Sequence, residues 1–182
     1  MRLPLILATV LLAGCAHTAR QPAGPAPRGL APVSAVSPRS ASQVIHAAYG
    51  ERAATLRTAL EVSASDIKLV GVTATGQRLF AASYDGQTVH AERGTFVPAD
   101  IHPERVLADM QLALWPLPAL RQALGSAYEV AEPFAGVRRL KRDGHLVAEV
   151  HYAGDDPWSG RLWLVSFEHG YSLTVDTTTS AN

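Results

Sequence analysis

The sequence predicts a mainly β domain with some α: a curved antiparallel sheet, an incomplete half-barrel, covered by one or two helices. Three observations predict it. Segments of alternating apolar and polar residues occur on both sides of the chain's middle, the period of half-buried strands. Turn dipeptides of the hairpin kind, Asp85-Gly86 and Asp143-Gly144, punctuate them. Between the two strand sets lies one stretch with helical spacing, and a long antiparallel sheet needs such a cover for its apolar face.

In chain order, Met1-Arg2 is a short positive start and Leu3 to Leu12 an apolar run broken by Pro4 and Thr9. A membrane-crossing helix needs about 20 residues, so this run suits the apolar core of a secretory signal. It ends in Leu12-Ala13-Gly14-Cys15, and Cys15 is the one cysteine in the chain. A lone cysteine excludes an intrachain disulfide framework and any multi-cysteine zinc site. From Ala16 to Ser42 the composition shifts to Pro, Ala, Gly and Ser, with Arg20, Arg28 and Arg39 as the only charges. Such a segment buries little apolar surface to offset its ordering entropy. The expected organisation is therefore a signal over 1–14, a disordered tether over 15–42 and a single domain over 43–182.

Within the domain, Ala54 to Val62 alternates, with Leu56, Thr58, Leu60 and Val62 on one face. Asp66 to Thr73 is β-branched and apolar, Thr75-Gly76 turns the chain, and Gln77 to Tyr84 and Gln87 to Arg93 flank Asp85-Gly86. These predict a meander. Pro103 fits a first helical position and Glu104 the first turn, where a negative charge suits the helix dipole. Val106, Leu107, Met110, Ala113 and Leu114 recur at helical spacing until Pro116, and Pro118 to Leu124 offers a short second helix. Val137 to Arg142 with His145 to Tyr152, then Arg161 to Glu168 with Tyr171 to Asp176, predict two more hairpins.

Composition narrows the function. The 182 residues carry 16 basic and 16 acidic side chains, so there is no cationic surplus with which to neutralise phosphates, and nucleic acid is not an expected partner. Removal of residues 1–14 takes away Arg2 alone among the charges. The seven histidines include no HxH or HxxxH pair, and Asp155-Asp156 before Pro157 reads as a turn. Glu104 and Asp109, five apart, make a poor carboxylate pair. There is no GxSxG, P-loop or GxGxxG, so neither enzyme activity, nor a cofactor, nor a metal is expected. The run Arg138, Arg139, Lys141, Arg142 reads as a charged edge strand or a headgroup contact. Phe96 and Val97, in a loop before the helix, are candidates for membrane contact.

Leu12-Ala13-Gly14-Cys15 resembles the lipobox of bacterial lipoproteins. The resemblance implies cleavage before Cys15, acylation of Cys15 and, with Ala16 rather than Asp after it, export to the periplasmic face of the outer membrane. Ser83-Tyr84-Asp85-Gly86, the stretch Val106 to Pro116 and His151-Tyr152-Ala153-Gly154-Asp155-Asp156-Pro157-Trp158 resemble a family of uncharacterised Gram-negative outer-membrane lipoproteins. Some of its members are encoded beside aryl-polyene biosynthesis genes. The resemblance spans roughly Val62 to Thr177. The strand–helix–strand order is also similar to the lipoprotein-localisation factors LolA and LolB, in which an incomplete barrel holds acyl chains. These resemblances imply a carrier of a lipid, acyl or polyene chain. Leu56, Leu60, Leu69, Leu79, Met110, Leu114 and Trp115 are the expected lining of its apolar cavity. The alternative is a scaffold for envelope biosynthesis or export proteins, with a filled core.

Overall fold

The computed structural model describes residues 28–94, 97 and 101–180. Ten strands form one antiparallel sheet: β1 (Arg39–Tyr49), β2 (Arg52–Val62), β3 (Ile67–Val72), β4 (Arg78–Tyr84), β5 (Val89–Arg93), β6 (Tyr128–Phe134), β7 (Val137–Arg142), β8 (His145–Tyr152), β9 (Gly160–Ser166) and β10 (Tyr171–Ser180). Helices α1 (Pro103–Leu114) and α2 (Leu117–Ala123) separate β5 from β6. The spatial order is β5-β4-β3-β2-β1-β10-β9-β8-β7-β6. Two meanders, β1–β5 and β6–β10, are thus joined where the first strand pairs with the last, from Ser40↔Ser180 to Tyr49↔Tyr171. Among the described residues nothing pairs with the outer sides of β5 and β6, so the sheet is not closed.

The hairpins follow from their turn residues. Asp143 and Gly144 both take positive φ, 50° and 81°, the geometry a two-residue hairpin demands and one that Asp and Gly tolerate. Asp85 accepts hydrogen bonds from the backbone N–H groups of Gln87 and Thr88, fixing the β4–β5 turn.

Curvature follows from what α1 touches. It packs against β4 and β5, yet its last carbonyls are bonded by Arg138 of β7 and Tyr152 of β8. Laid flat, ten strands at about 4.8 Å spacing would span roughly 40 Å, several times a helix diameter. The sheet must therefore curl around the helix. The inward residues, among them Ile45, Leu60, Ile67, Leu69, Phe80, Val150, Leu164 and Val175, form one core with Leu107, Met110 and Leu112 of α1.

Three elements differ from the sequence reading. The packed domain starts well before Gln43: Ala31, Val33, Val36 and Ala41 are buried in the core, so residues 28–42 are a structural strap and not tether. β1 straddles the expected boundary, and edge strand β6 was not foreseen. Pro133 sits near the end of β6, where an edge strand accommodates a residue without an N–H.

Candidate functional site

Helix α1 is fastened at its C-terminal end. A helix leaves its last carbonyls without intrahelical partners. Here the Arg138 guanidinium donates to Leu112 O (2.6 Å) and Trp115 O (2.8 Å), Tyr152 Oη to Ala113 O (2.6 Å) and Trp158 Nε1 to Leu114 O (3.0 Å). A cation at this end also complements the helix dipole. Arg138 is 5% exposed and also pairs with Glu132. It is a structural cap, which corrects its reading as a headgroup contact. Burial pushes the Tyr152 hydroxyl up to about 12, keeping it a donor.

The strap 28–36 lies across the helices. Gln111 grips the backbone of Ala31 from both sides: its Oε1 accepts the Ala31 N–H (2.7 Å) and its Nε2 donates to Ala31 O (3.1 Å). Trp115 Nε1 donates to Pro32 O. Arg28 pairs with the buried Asp109 (2.7 Å), which also accepts the Tyr171 hydroxyl. Burial, reinforced by the Asp109 carboxylate, drives the Tyr171 hydroxyl far above its usual range. His169 stacks on Tyr171; burial first, then the neighbouring Arg105 cation, lowers its affinity for a proton. Arg105 Nε is a buried nitrogen without a hydrogen-bond partner.

Where the strap meets two turns it walls a groove of about 540 Å³, within the 300–1,000 Å³ range of about one small-ligand site. Leu30, Pro32 and Val33 of the strap give one apolar wall, Ala123 of α2 and Ala64 of the β2–β3 turn the others. Ser34, Ser65, Gln122 and Asp85 supply polar edges. The Thr88 and Gln87 N–H groups hold the Asp85 carboxyl below its ordinary value, so this lip is anionic. Tyr84 Oη is bonded to Gly86 O, and burial raises it. Gly29 closes the strap onto α2: a Cβ there would lie 2.0 Å from Ala123 O.

The seven residues expected to line a cavity are placed otherwise. Leu60, Leu69, Met110, Leu114 and Trp115 are at most 2% exposed and Leu56 is 9% exposed, all in the core cluster. Five of them thus have almost no surface facing a space large enough for water, whether outside or inside, so an acyl chain would have to displace their neighbours. Leu79 alternates with the inward Phe80, Ala82 and Tyr84 and is only half-buried against the core. None of the seven lines the groove. Val97 is buried and so does not present the exposed side chain that membrane contact needs. Cys15 and Phe96 lie outside the described residues.

Among the described residues no group of three His, Cys, Asp or Glu could hold a metal, and no helix is long and apolar enough to cross a membrane. His151 bonds Glu149, whose carboxyl is held low by Arg139 and then by His151. This reads as a surface ion-pair network. The strap's residues look like tether, and the groove exists only where that strap meets α2 and two turns distant in the sequence. The one available signal was the spacing of Leu30, Val33 and Val36 between prolines.

A family model described as protein of unknown function, DUF3261, matches residues 40–179. No curated protein matches the sequence. Among solved structures, the chain is similar to a LolA superfamily protein from Nitrosomonas europaea at 8% identity, covering 80% of this chain and 86% of that one with a TM-score of 0.48. A domain provisionally described as an outer membrane lipoprotein-sorting protein, from Vibrio parahaemolyticus, matches at 9% identity over 80% and 86% with a TM-score of 0.44. A DUF1329 family protein from Desulfovibrio piger matches at 11% over 80% and 85% with a TM-score of 0.34.

Proposed function

The chain belongs to the DUF3261 family of proteins of unknown function, and within it we propose that this domain is a non-enzymatic lipoprotein of the cell envelope that binds a lipid, acyl or polyene chain in the strap groove. The carrying observation is the groove itself: about 540 Å³, open to solvent, with apolar walls and polar lips. That division suits an amphiphile, whose hydrocarbon part gains about 0.8 kcal/mol for each CH₂ taken from water. Exchange with a bilayer would then be nearly isoenergetic. The fixed negative charge of Asp85 favours a ligand whose polar end is neutral or carries an amine over one that is purely anionic.

The anchor is part of the same proposal. Lipidation at Cys15 would hold the domain at the periplasmic face of the outer membrane. Metabolic labelling with a clickable fatty acid should mark the wild type and not Cys15→Ser.

Binding is tested by solvent extraction of the purified protein with mass spectrometry, alongside titration with a fluorescent long-chain alkylamine. Ala64→Trp, at an exposed turn position on the groove, should fill it and weaken binding about tenfold or more with an unchanged circular dichroism spectrum. A clean extract with no saturable binding, or an Ala64→Trp variant that binds normally, would refute the groove assignment. The packed interior and the fastened helix favour a second reading, a rigid scaffold for other envelope proteins. Crosslinking in cells that captures the same protein neighbours in wild type and Ala64→Trp would favour it.

A further inference from the structure

We propose that the ligand of the groove is a single-chain amphiphile whose polar end is a primary amine, and that Asp85 selects it. This rests on the groove being a lipid site and narrows that reading to one chain and one kind of headgroup. Among the described residues that line the groove, Asp85 is the one with a charged side chain. Its Oδ1 accepts the N–H groups of Gln87 (2.9 Å) and Thr88 (2.7 Å), which pins the carboxylate on its own turn. Its Oδ2 accepts no hydrogen bond from any other described residue, and no Lys or Arg among them pairs with it. His90 of β5 bears on it only as the smallest of the influences that hold its charge. Asp66, in the β2–β3 turn beside Ser65, is by contrast tied up: Ser63 donates to it and Lys68 pairs with it at 3.2 Å. The groove thus presents one oriented, unpaired carboxylate oxygen.

The partners around that oxygen suit a primary amine. An alkylammonium has three N–H donors, as a lysine head does. Ser34 and Ser65 line the same groove and add hydroxyl acceptors to Asp85. A quaternary ammonium has no donor and is recognised by a cage of aromatic faces. Tyr84 is the single aromatic side chain in the lining, and its hydroxyl is already donated to Gly86 O. An anionic headgroup would meet Asp85 with no cation in the lining to offset it. Volume sets the number of chains. At about 30 Å³ per non-hydrogen atom, the share of a water molecule in the liquid, the 540 Å³ groove holds about 18 such atoms. One chain of about a dozen carbons fits with its amine, whereas the hydrocarbon of a two-chain lipid needs roughly twice the space. The strap resists widening, because Gln111 grips Ala31 from both sides and Gly29 abuts Ala123 O.

The test is calorimetric titration of the purified full-length protein at neutral pH and low salt. The ligands are dodecylamine, dodecanol, dodecyltrimethylammonium and didodecylamine, each kept below its micelle or solubility limit. Dodecylamine should bind about fivefold more tightly than dodecanol, the size of an exposed ion pair, and more tightly than dodecyltrimethylammonium. Added salt should shrink the preference over dodecanol. Didodecylamine should bind no more tightly than dodecylamine, since a covered second chain would raise affinity steeply. Asp85→Asn keeps an acceptor for the Gln87 and Thr88 N–H groups and removes the charge. It should lose the preference for dodecylamine over dodecanol, with an unchanged circular dichroism spectrum. Equal affinity of the wild type for dodecylamine and dodecanol overturns the proposal. So does dodecyltrimethylammonium bound as tightly as dodecylamine, didodecylamine bound far more tightly, or an undiminished amine preference in Asp85→Asn. In each of these cases saturable dodecanol binding that Ala64→Trp weakens would leave the groove reading standing. No saturable binding by any of the four would remove both.

Discussion

Replacing Arg138 by Met tests whether the α1 cap holds the fold together. Met keeps the apolar stem and removes the guanidinium. Leu112 O and Trp115 O, bonded at 2.6 and 2.8 Å, then lose their side-chain donor inside the protein. The contact to Ala113 O at 3.4 Å is marginal, and Tyr152 still serves that carbonyl. Hydrogen bonds from a charged donor contribute about 1.5–3 kcal/mol each, and losing two that share one group is not fully additive. The Glu132 pair adds little, because that carboxylate is 41% exposed and regains water. The expected loss is about 3–4 kcal/mol. In a domain of this size that lowers the melting temperature by roughly 6–16 °C. Urea unfolding followed by far-ultraviolet circular dichroism measures it, with Glu132→Gln as the control expected to cost under about 1 kcal/mol. If Arg138→Met costs less than about 1 kcal/mol, or if Glu132→Gln costs as much as Arg138→Met, the cap argument fails. A surface arginine awaiting headgroups would show the first of these results.

Gly29→Ala should detach the strap from α2, since the added Cβ would meet the Ala123 carbonyl oxygen at 2.0 Å. A loss of about 1–3 kcal/mol in scanning calorimetry, with weaker alkylamine binding, is expected; an unchanged melting temperature would show that the strap is not closely seated. His169 has a depressed folded-state pKa, from burial and Arg105. As pH falls through the unfolded value near 6.5, the unfolded chain takes the proton first and stability drops, while above about pH 7.5 the residue is neutral in both states and contributes no slope. His169→Asn should therefore lose less stability than wild type between about pH 7.5 and 5.5 in urea titrations. Glu168 and Asp109, which face the ring and favour its proton, moderate the effect, and equal losses would show that the ring is not desolvated.

How much of this was legible depended on whether a residue's partner was visible in the pattern. Leu56, Leu60 and Val62 alternate with polar residues because one face of β2 meets water, and that pattern located β2 to within two residues of its start. β1 obeys the same geometry but hides it. Its inward set is Ala41, Gln43, Ile45 and Ala47, and Gln43 is buried because its amide bridges Thr177 of β10 and Thr58 of β2. A buried glutamine satisfied across three strands looks, in hydropathy, like a break in a strand. The strap failed for a related reason. Proline and glycine made it look like a tether, while its order comes from Gln111 and Asp109 some eighty residues later. Leu79 was misplaced because a strand's apolar residues do not all share a face; Phe80 took the inward position.

These placements bear on how any ligand could enter. A cavity beneath α1 would require the helix to lift from the sheet. Lifting its C-terminal half would strip donors from four consecutive carbonyls, Leu112 to Trp115, and leave the buried Arg138 cation with Glu132 alone as acceptor. Lifting the middle would break the Gln111–Ala31 pair and expose Asp109. Each step costs several kcal/mol against a total stability of about 5–15 kcal/mol, so helix opening is close to unfolding. The groove asks for neither, since its walls are the outer side of the strap, the end of α2 and two hairpin turns. On the proposed reading, a domain fastened in this way would bind at its margin, with its centre held by these hydrogen bonds.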